Sequence, residues 1–391
     1  MDFQLWWLLS WPLFFGLGWL AARIDIRHLV RESRSLPRSY LSGLNFLLKE
    51  QPDKAIDAFL EAVRIDPQTV ELHFALGNLF RRRGELDRAI RIHQSLVDRE
   101  DLEPAQRLQA LQELGEDYLK AGLLDRAEAV YLQLRGTAHN EAANDALLEI
   151  YQQEKNWQRA IDIARDMPRR GSHRWEVDIA NFYCEMAASA LAHSDFERAL
   201  SLLDEALATN RKSVRANLLR GDVYVALQRD AEAVDAWQAI GQQDPGYLAL
   251  VADRLMEAHR RLGHEVHGAQ FLRTHLDQSP SLDLLEIVFK WEIERNGPAA
   301  AYALVRDELK RNPTMLGLEK LLEAASHTVA PEQKGDIELV KGMIHGHTRR
   351  VARYCCKDCG FRARQFYWRC PACGGWESYP PKRTEEFDLA V

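Results

Sequence analysis

The chain has 391 residues, is 46% hydrophobic and carries a formal charge of −7 with a pI near 6.0. An acidic balance of this kind excludes a general nucleic-acid binder, which needs a basic face and a high pI. The length allows two or three folding units. The 13 histidines are scattered, and the chain contains no phosphate-cradling G-x-x-x-x-G-K-[ST], no G-x-S-x-G and no H-E-x-x-H. With no nucleophile, base or phosphate loop marked out, the chain reads as a non-enzyme with no catalytic residues.

Phe3 to Ala22 runs FQLWWLLSWPLFFGLGWLAA, 20 residues without a charge. At 1.5 Å rise per residue such a run spans roughly the 30 Å hydrocarbon core of a bilayer, which predicts a transmembrane helix over 1–22. A cleaved signal peptide would need a positive segment ahead of a shorter apolar run, whereas only Asp2 precedes this one. Trp6, Trp7, Trp11 and Trp19 suit interfacial belts, although Trp11 falls near mid-span, where Pro12 predicts a kink. Arg23, Arg27, Arg31, Arg34 and Arg38 follow the run and no Lys or Arg precedes it. The positive-inside rule then puts the N-terminus on the far side of the membrane and the bulk of the chain in the cytoplasm, with 23–35 as a basic juxtamembrane segment.

From 36 to 347 the apolar spacing is helical and is broken by short turns, which suggests an array. Gly43, Phe46, Ala55, Phe59, Ala62 and Pro67 stand at the offsets of a 34-residue tetratricopeptide repeat, and Leu76, Gly77, Phe80 and Ala89 repeat them. An insertion around Asp98 to Pro104 shifts the frame before Leu114, Gly115, Tyr118, Ala127 and Tyr131 restart it. Tyr151, Ala160 and Ala164 mark a fourth unit, Ala199, Leu203 and Ala206 a fifth, and Gly221, Tyr224, Ala233, Trp237 and Pro245 a sixth. Past Tyr247 the pattern decays, leaving Phe271 and then Ala301, Val305 and Pro313 in degenerate units. A single helical hairpin cannot bury its own apolar face, so stacked hairpins share one core, small residues permit close approach, and aromatics fill the grooves. Cys184 in NFYCEM reads as a small buried apolar residue, and His73, Asn78 and Arg81 as helix positions that either line a groove for a polypeptide or are ordinary solvated positions. His345 and His347 precede a basic connector and read as a hinge.

The last segment, 348–381, holds five of the six cysteines. Cys356-x2-Cys359 and Cys370-x2-Cys373 are two knuckles, each followed by a glycine, Gly360 or Gly374. Four thiolates from two such turns can surround one metal ion, and a glycine after each lets backbone N–H groups turn toward sulfur. Disulfides are the alternative, but a cytoplasmic domain is kept reducing. Cys355 is set aside as a non-ligand, because a C-x3-C spacing to Cys359 suits a knuckle less well. Rubredoxin iron and ribbon zinc use the same four sulfurs, so spacing leaves the metal open. A fold of ~30 residues needs the metal as its staple, with Phe361, Phe366, Tyr367, Trp368 and Trp376 as its small core or, for one or two of them, as a face toward the repeats. An acidic tail, 382–391, ends the chain.

An uncleaved anchor, the repeat run GNLFRRRGELDRAIRIHQSL, then GLLDRAE, FYCE, RNPTML and YWRCPAC resemble, in that order, the lipopolysaccharide assembly protein B family of Gram-negative bacteria. The resemblance covers essentially the whole chain. It implies an all-α protein: an anchor helix, a tetratricopeptide superhelical solenoid, and a rubredoxin-like, zinc-ribbon-type metal module with ligands Cys356, Cys359, Cys370 and Cys373, iron being favoured over zinc. It further implies an inner-membrane adaptor that restrains lipopolysaccharide synthesis by working with the membrane protease FtsH to promote degradation of the deacetylase LpxC. Two other readings remain: a platform that gathers lipopolysaccharide-synthesis or transport proteins without a proteolytic role, and a redox or metal sensor.

Overall fold

The computed structural model describes residues 38–49, 51–65, 69–168, 175–327, 329–348 and 354–381. The expected anchor, the arginines from Arg23 to Arg34, Pro67 and the acidic tail lie outside the described residues. No helix among the described residues is long and apolar enough to cross a membrane. The described chain forms two compact units that divide at Glu154, inside the fourth sequence repeat.

The first unit contains α1 (Arg38–Leu48), α2 (Pro52–Ile65), α3 (Val70–Arg83), α4 (Leu86–Val97), α5 (Pro104–Lys120), α6 (Leu124–Leu134) and α7 (Asn140–Gln153). Consecutive helices pack as antiparallel hairpins, α1 on α2, α3 on α4 and α5 on α6. Their close approach depends on a glycine of the first helix lying against an aromatic ring sixteen residues further on: Gly43 against Phe59, Gly77 against His93, Gly115 against Tyr131. A Cβ at any of the three would intrude on that ring. Around these contacts Ala55, Phe59, Ala62, Leu72, Leu76 and Ala89 are buried in one cluster. Gly84, at φ 81°, ends α3 in the left-handed conformation, which costs a glycine nothing sterically. The Asp98–Pro104 insertion is the stretch between α4 and α5, and Pro104 opens α5, where its missing N–H would have no partner anyway.

The second unit begins with α8 (Trp157–Asp166), α9 (Trp175–Ala192), α10 (Phe196–Thr209), α11 (Val214–Ala226) and α12 (Asp230–Gln243). Side chains cap three of these helices: Asn156 accepts from the Arg159 N–H, Asp195 from Arg198 and Ser213 from Ala216. After a 3-10 turn over Pro245–Leu250 come α13 (Ala252–Arg261), α14 (Glu265–Gln278), α15 (Leu282–Arg295), α16 (Pro298–Arg311), α17 (Met315–Ser326) and α18 (Pro331–Thr348). Hairpins therefore continue where the sequence motif fades. There the glycine–ring contacts take other spacings: Gly268 of α14 lies against the His259 ring nine residues before it, and Gly241 of α12 against the His275 ring thirty-four residues after it. The expected hinge at His345 and His347 is instead the last turn of α18, where His345 Nδ1 lies 2.9 Å from a Glu319 carboxylate oxygen of α17.

Candidate metal centre

Residues 354–381 fold as two small hairpins. In the first, β1 (Tyr354–Cys355) pairs antiparallel with β2 (Arg362–Ala363), with Tyr354 opposite Ala363. In the second, Arg369 and Trp376 form an isolated bridge. Each hairpin closes on a Cys-x2-Cys-Gly turn of the same design. The Cys356 N–H donates to the Phe361 carbonyl at 2.9 Å and the Gly360 N–H to the Cys356 carbonyl at 3.0 Å; the Cys370 N–H donates to Gly375 and the Gly374 N–H to Cys370, both at 2.9 Å. Gly360 and Gly374 sit at φ 73° and 75°, the left-handed region that favours glycine.

The two turns face each other across four sulfurs. Cys356, Cys359, Cys370 and Cys373 place their Sγ atoms within 4.8 Å of one another. Cys356 to Cys373 is 3.8 Å and Cys359 to Cys370 is 3.7 Å. A disulfide needs about 2.05 Å between sulfurs, and all four thiols are free. A metal ion about 2.3 Å from each of four tetrahedral sulfurs sets them about 3.8 Å apart. The donor set therefore fits one metal ion in a four-cysteine site and does not fit two disulfides. Zinc and iron share this geometry.

Electrostatics point the same way. Burial opposes ionisation of the Cys356 thiol, but the Ser378 hydroxyl and the backbone N–H groups of Cys359 and Asp358 outweigh it and pull the thiol down to about 6. At Cys359 the Phe361 N–H favours the thiolate, yet desolvation and the three neighbouring thiols push the group up to about 12. Four sulfurs this close cannot all carry negative charge without a cation between them. Cys355 stands apart, with its Sγ 3.7 Å from the carbonyls of Cys356 and Gly360.

The expected core of the module needs correction. Phe361 is exposed, and the buried apolar cluster is Cys356, Cys370 and Tyr379, with Tyr354, Ala363, Phe366 and Tyr367 packed against it. Trp368 and Trp376 face the repeats. Trp376 meets the rings of Trp157 and Phe182 edge-on at 6.3 and 6.0 Å, and Trp368 stacks on Tyr247 at 5.6 Å with an interplanar angle of 10°. Between the two indoles lies Arg215 of α11, its guanidinium 5.6 Å from each ring centroid and 2.6 Å from Glu185 of α9. Asn181 of α9 donates to Glu377 at 2.9 Å. Burial pushes the Glu377 carboxyl above its usual range, partly offset by Asn181 and then Arg215. Arg215, Asn181, Glu377, Tyr247 and Trp157 went unmarked in the sequence. Their one trace was a tryptophan on either side of the second knuckle.

Cys184 is fully buried, and desolvation pushes its thiol up to about 12, as an inert packing residue requires. Of the expected groove residues, His73 Nδ1 contacts the Thr69 carbonyl at 3.0 Å, while Asn78 and Arg81 join a network inside the first unit. Arg81 reaches Glu113, Glu116 and Asp117, and Asp117 holds the buried His93 Nδ1 at 2.5 Å. His93, missed in the sequence, occupies the ring position opposite Gly77.

An array of helical hairpins carrying a docked four-cysteine knuckle defines a tetratricopeptide-repeat protein with a rubredoxin-type metal module. The tetratricopeptide repeat model matches residues 40–101 and 184–247, and the rubredoxin metal binding domain model matches 354–380. The chain belongs to the lipopolysaccharide assembly protein B family. It is 38% identical to that protein of Escherichia coli K12 over 95% of this chain and 96% of the relative. To the Haemophilus influenzae protein of the same name it is 30% identical over 96% of this chain and 97% of the relative. Among solved structures, the TPR2AB domain of yeast Sti1 in complex with pHSP90 is similar at 16% identity and TM-score 0.32, covering 69% of this chain and 95% of that one.

Proposed function

We propose that this protein is an inner-membrane adaptor in lipopolysaccharide assembly that brings the deacetylase LpxC to the protease FtsH. Membership of the lipopolysaccharide assembly protein B family along nearly the whole chain carries this reading. Residues 1–22 hold the chain in the bilayer, the following arginines keep it against anionic headgroups, and the repeats and metal module offer surfaces to protease and substrate. When bound, the metal supplies no reaction chemistry; it fixes two hairpins whose aromatic residues then meet α9, α11 and the Pro245–Leu250 turn. The adaptor acts through proximity: confining two partners to one tethered platform raises apparent affinity by about 10²–10⁴ without a new contact between them.

The test is LpxC turnover in cells that carry the full chain or a chain lacking Met1 to Ala22. Slower turnover with the truncated chain is expected, and unchanged turnover would refute the tether. Co-purification from membranes addresses the partners: capture of lipopolysaccharide-synthesis enzymes without FtsH would replace the proteolytic role with a gathering platform.

A further inference from the structure

The first described helix, α1, buries only part of its surface. Gly43 is buried, packed close to Phe59 of α2, and Phe46 is half-buried. On another stripe, at helical spacing, Leu41, Leu44 and Leu48 are 53%, 37% and 84% exposed. Leu48 is the most exposed of the large apolar side chains among the described residues. Three leucines in a row on an open face point to a cover.

The neighbouring chemistry selects the cover. The helix sequence RSYLSGLNFLL contains no carboxylate, its exposed Ser42 and Asn45 are small and neutral, and exposed Lys49 follows it. In α2, by contrast, Asp53, Asp57 and Glu61 are all exposed. Upstream, Arg23, Arg27, Arg31, Arg34 and Arg38 lead into α1. Only 15 residues separate Ala22 from Arg38, a tether of at most about 60 Å even fully extended. An apolar stripe without acid, close behind a basic segment and an apolar 20-residue run, has the makings of a helix that lies in a membrane interface.

We propose that the Leu41, Leu44 and Leu48 face of α1 docks onto the surface of an anionic lipid bilayer, so that the first repeat lies on the membrane. This rests on the reading of residues 1–22 as an anchor. The first unit would then be held against the bilayer by α1 as well as by the linker.

The experiment uses the full chain in vesicles of phosphatidylethanolamine with about 30% phosphatidylglycerol, an anionic fraction sufficient to attract basic segments. A photoreactive benzoylphenylalanine replaces Leu48 or, as a control, Leu132 of α6, which is 44% exposed two repeats further along the same unit. Mass spectrometry of irradiated, floated vesicles is expected to find at least about fivefold more lipid adduct at position 48, since an interfacial helix sinks its apolar face among acyl chains. Equal yields at 48 and 132, or adducts from position 48 to residues 23–37 or to a second copy of the chain, would overturn the proposal. Flotation separates the two readings. A chain that floats with position 48 free of lipid loses only the docking surface, whereas a chain that fails to float loses the anchor as well.

Discussion

Replacing Arg215 with Met keeps much of the side chain's length and apolar stem while removing its charge. Two indole faces lie 5.6 Å from the guanidinium, and the residue is 7% exposed. Desolvated cation–π contacts contribute about 1–2 kcal/mol each, and the half-exposed Glu185 pair adds less than about 1 kcal/mol. Glu185 can rehydrate after the change, but Glu377 loses a compensating charge. The net loss is roughly 2–4 kcal/mol from docking of the metal module, about 30- to 10³-fold in the docking equilibrium. Near-ultraviolet circular dichroism follows the packed Trp157, Phe182, Trp376, Tyr247 and Trp368 rings, while the far-ultraviolet signal follows the helices. The aromatic transition is expected to move to lower temperature and to separate from the helical one, with metal content unchanged. In a double-mutant cycle with Trp368→Leu, the pair should couple by about 1–2 kcal/mol. Additive effects, or aromatic and helical transitions that shift together, would refute the clamp.

Cys370→Ser removes one of four sulfurs and should abolish stoichiometric metal binding and the protection of amides in 354–381 from hydrogen exchange; full metal content by elemental analysis would break the ligand assignment. Gly221→Ala ought to destabilise the second unit by about 1–3 kcal/mol in thermal melts, although alanine is the better helix former by up to about 1 kcal/mol. The added methyl would press into the Trp237 indole, which is fully buried and hydrogen-bonded to the Leu218 carbonyl. Gly342→Ala in α18 meets nothing within 4 Å, so there the propensity gain should appear alone. Burial, and then the nearby His264 and His267, hold His259 below its ordinary pKa of 6.5. The unfolded chain therefore takes up the extra proton first, and stability is lost as pH falls below about 6.5. Comparing melting temperatures of the protein and its His259→Gln variant at two pH values isolates this share, and parallel pH slopes would exclude it.

The repeat frame was legible because packing forces a spacing on it: Gly43 with Phe59, Gly115 with Tyr131 and Gly221 with Trp237 must recur if hairpins are to approach closely. His93 obeys the same spacing under a residue type that reads as polar in sequence, whereas His259 and His275 meet Gly268 and Gly241 at other spacings, which is why the array appeared to fade before it did. The four sulfurs were legible because two turns of one local design carry them. What the spacing could not supply was the destination of the indoles. A core position and a docking position ask for the same apolar side chain, and the partner Arg215 lies well over a hundred residues upstream.

The second knuckle sits between its own two anchors. Trp368 and Trp376 flank Cys370 and Cys373, the Glu377 N–H donates to the Trp368 carbonyl at 2.9 Å, and the Arg369 side chain donates to the Gly374 carbonyl at 3.1 Å. One short hairpin thus holds a metal ligand pair at its tip and the repeats at its base. Such a link is reciprocal: whatever peptide disturbs the surface formed by α9, α11 and Tyr247 must change the affinity for metal by the factor by which metal changes the affinity for that peptide. Occupancy of the helical surface would then be readable as a shift in the chelator concentration that removes the ion at equilibrium.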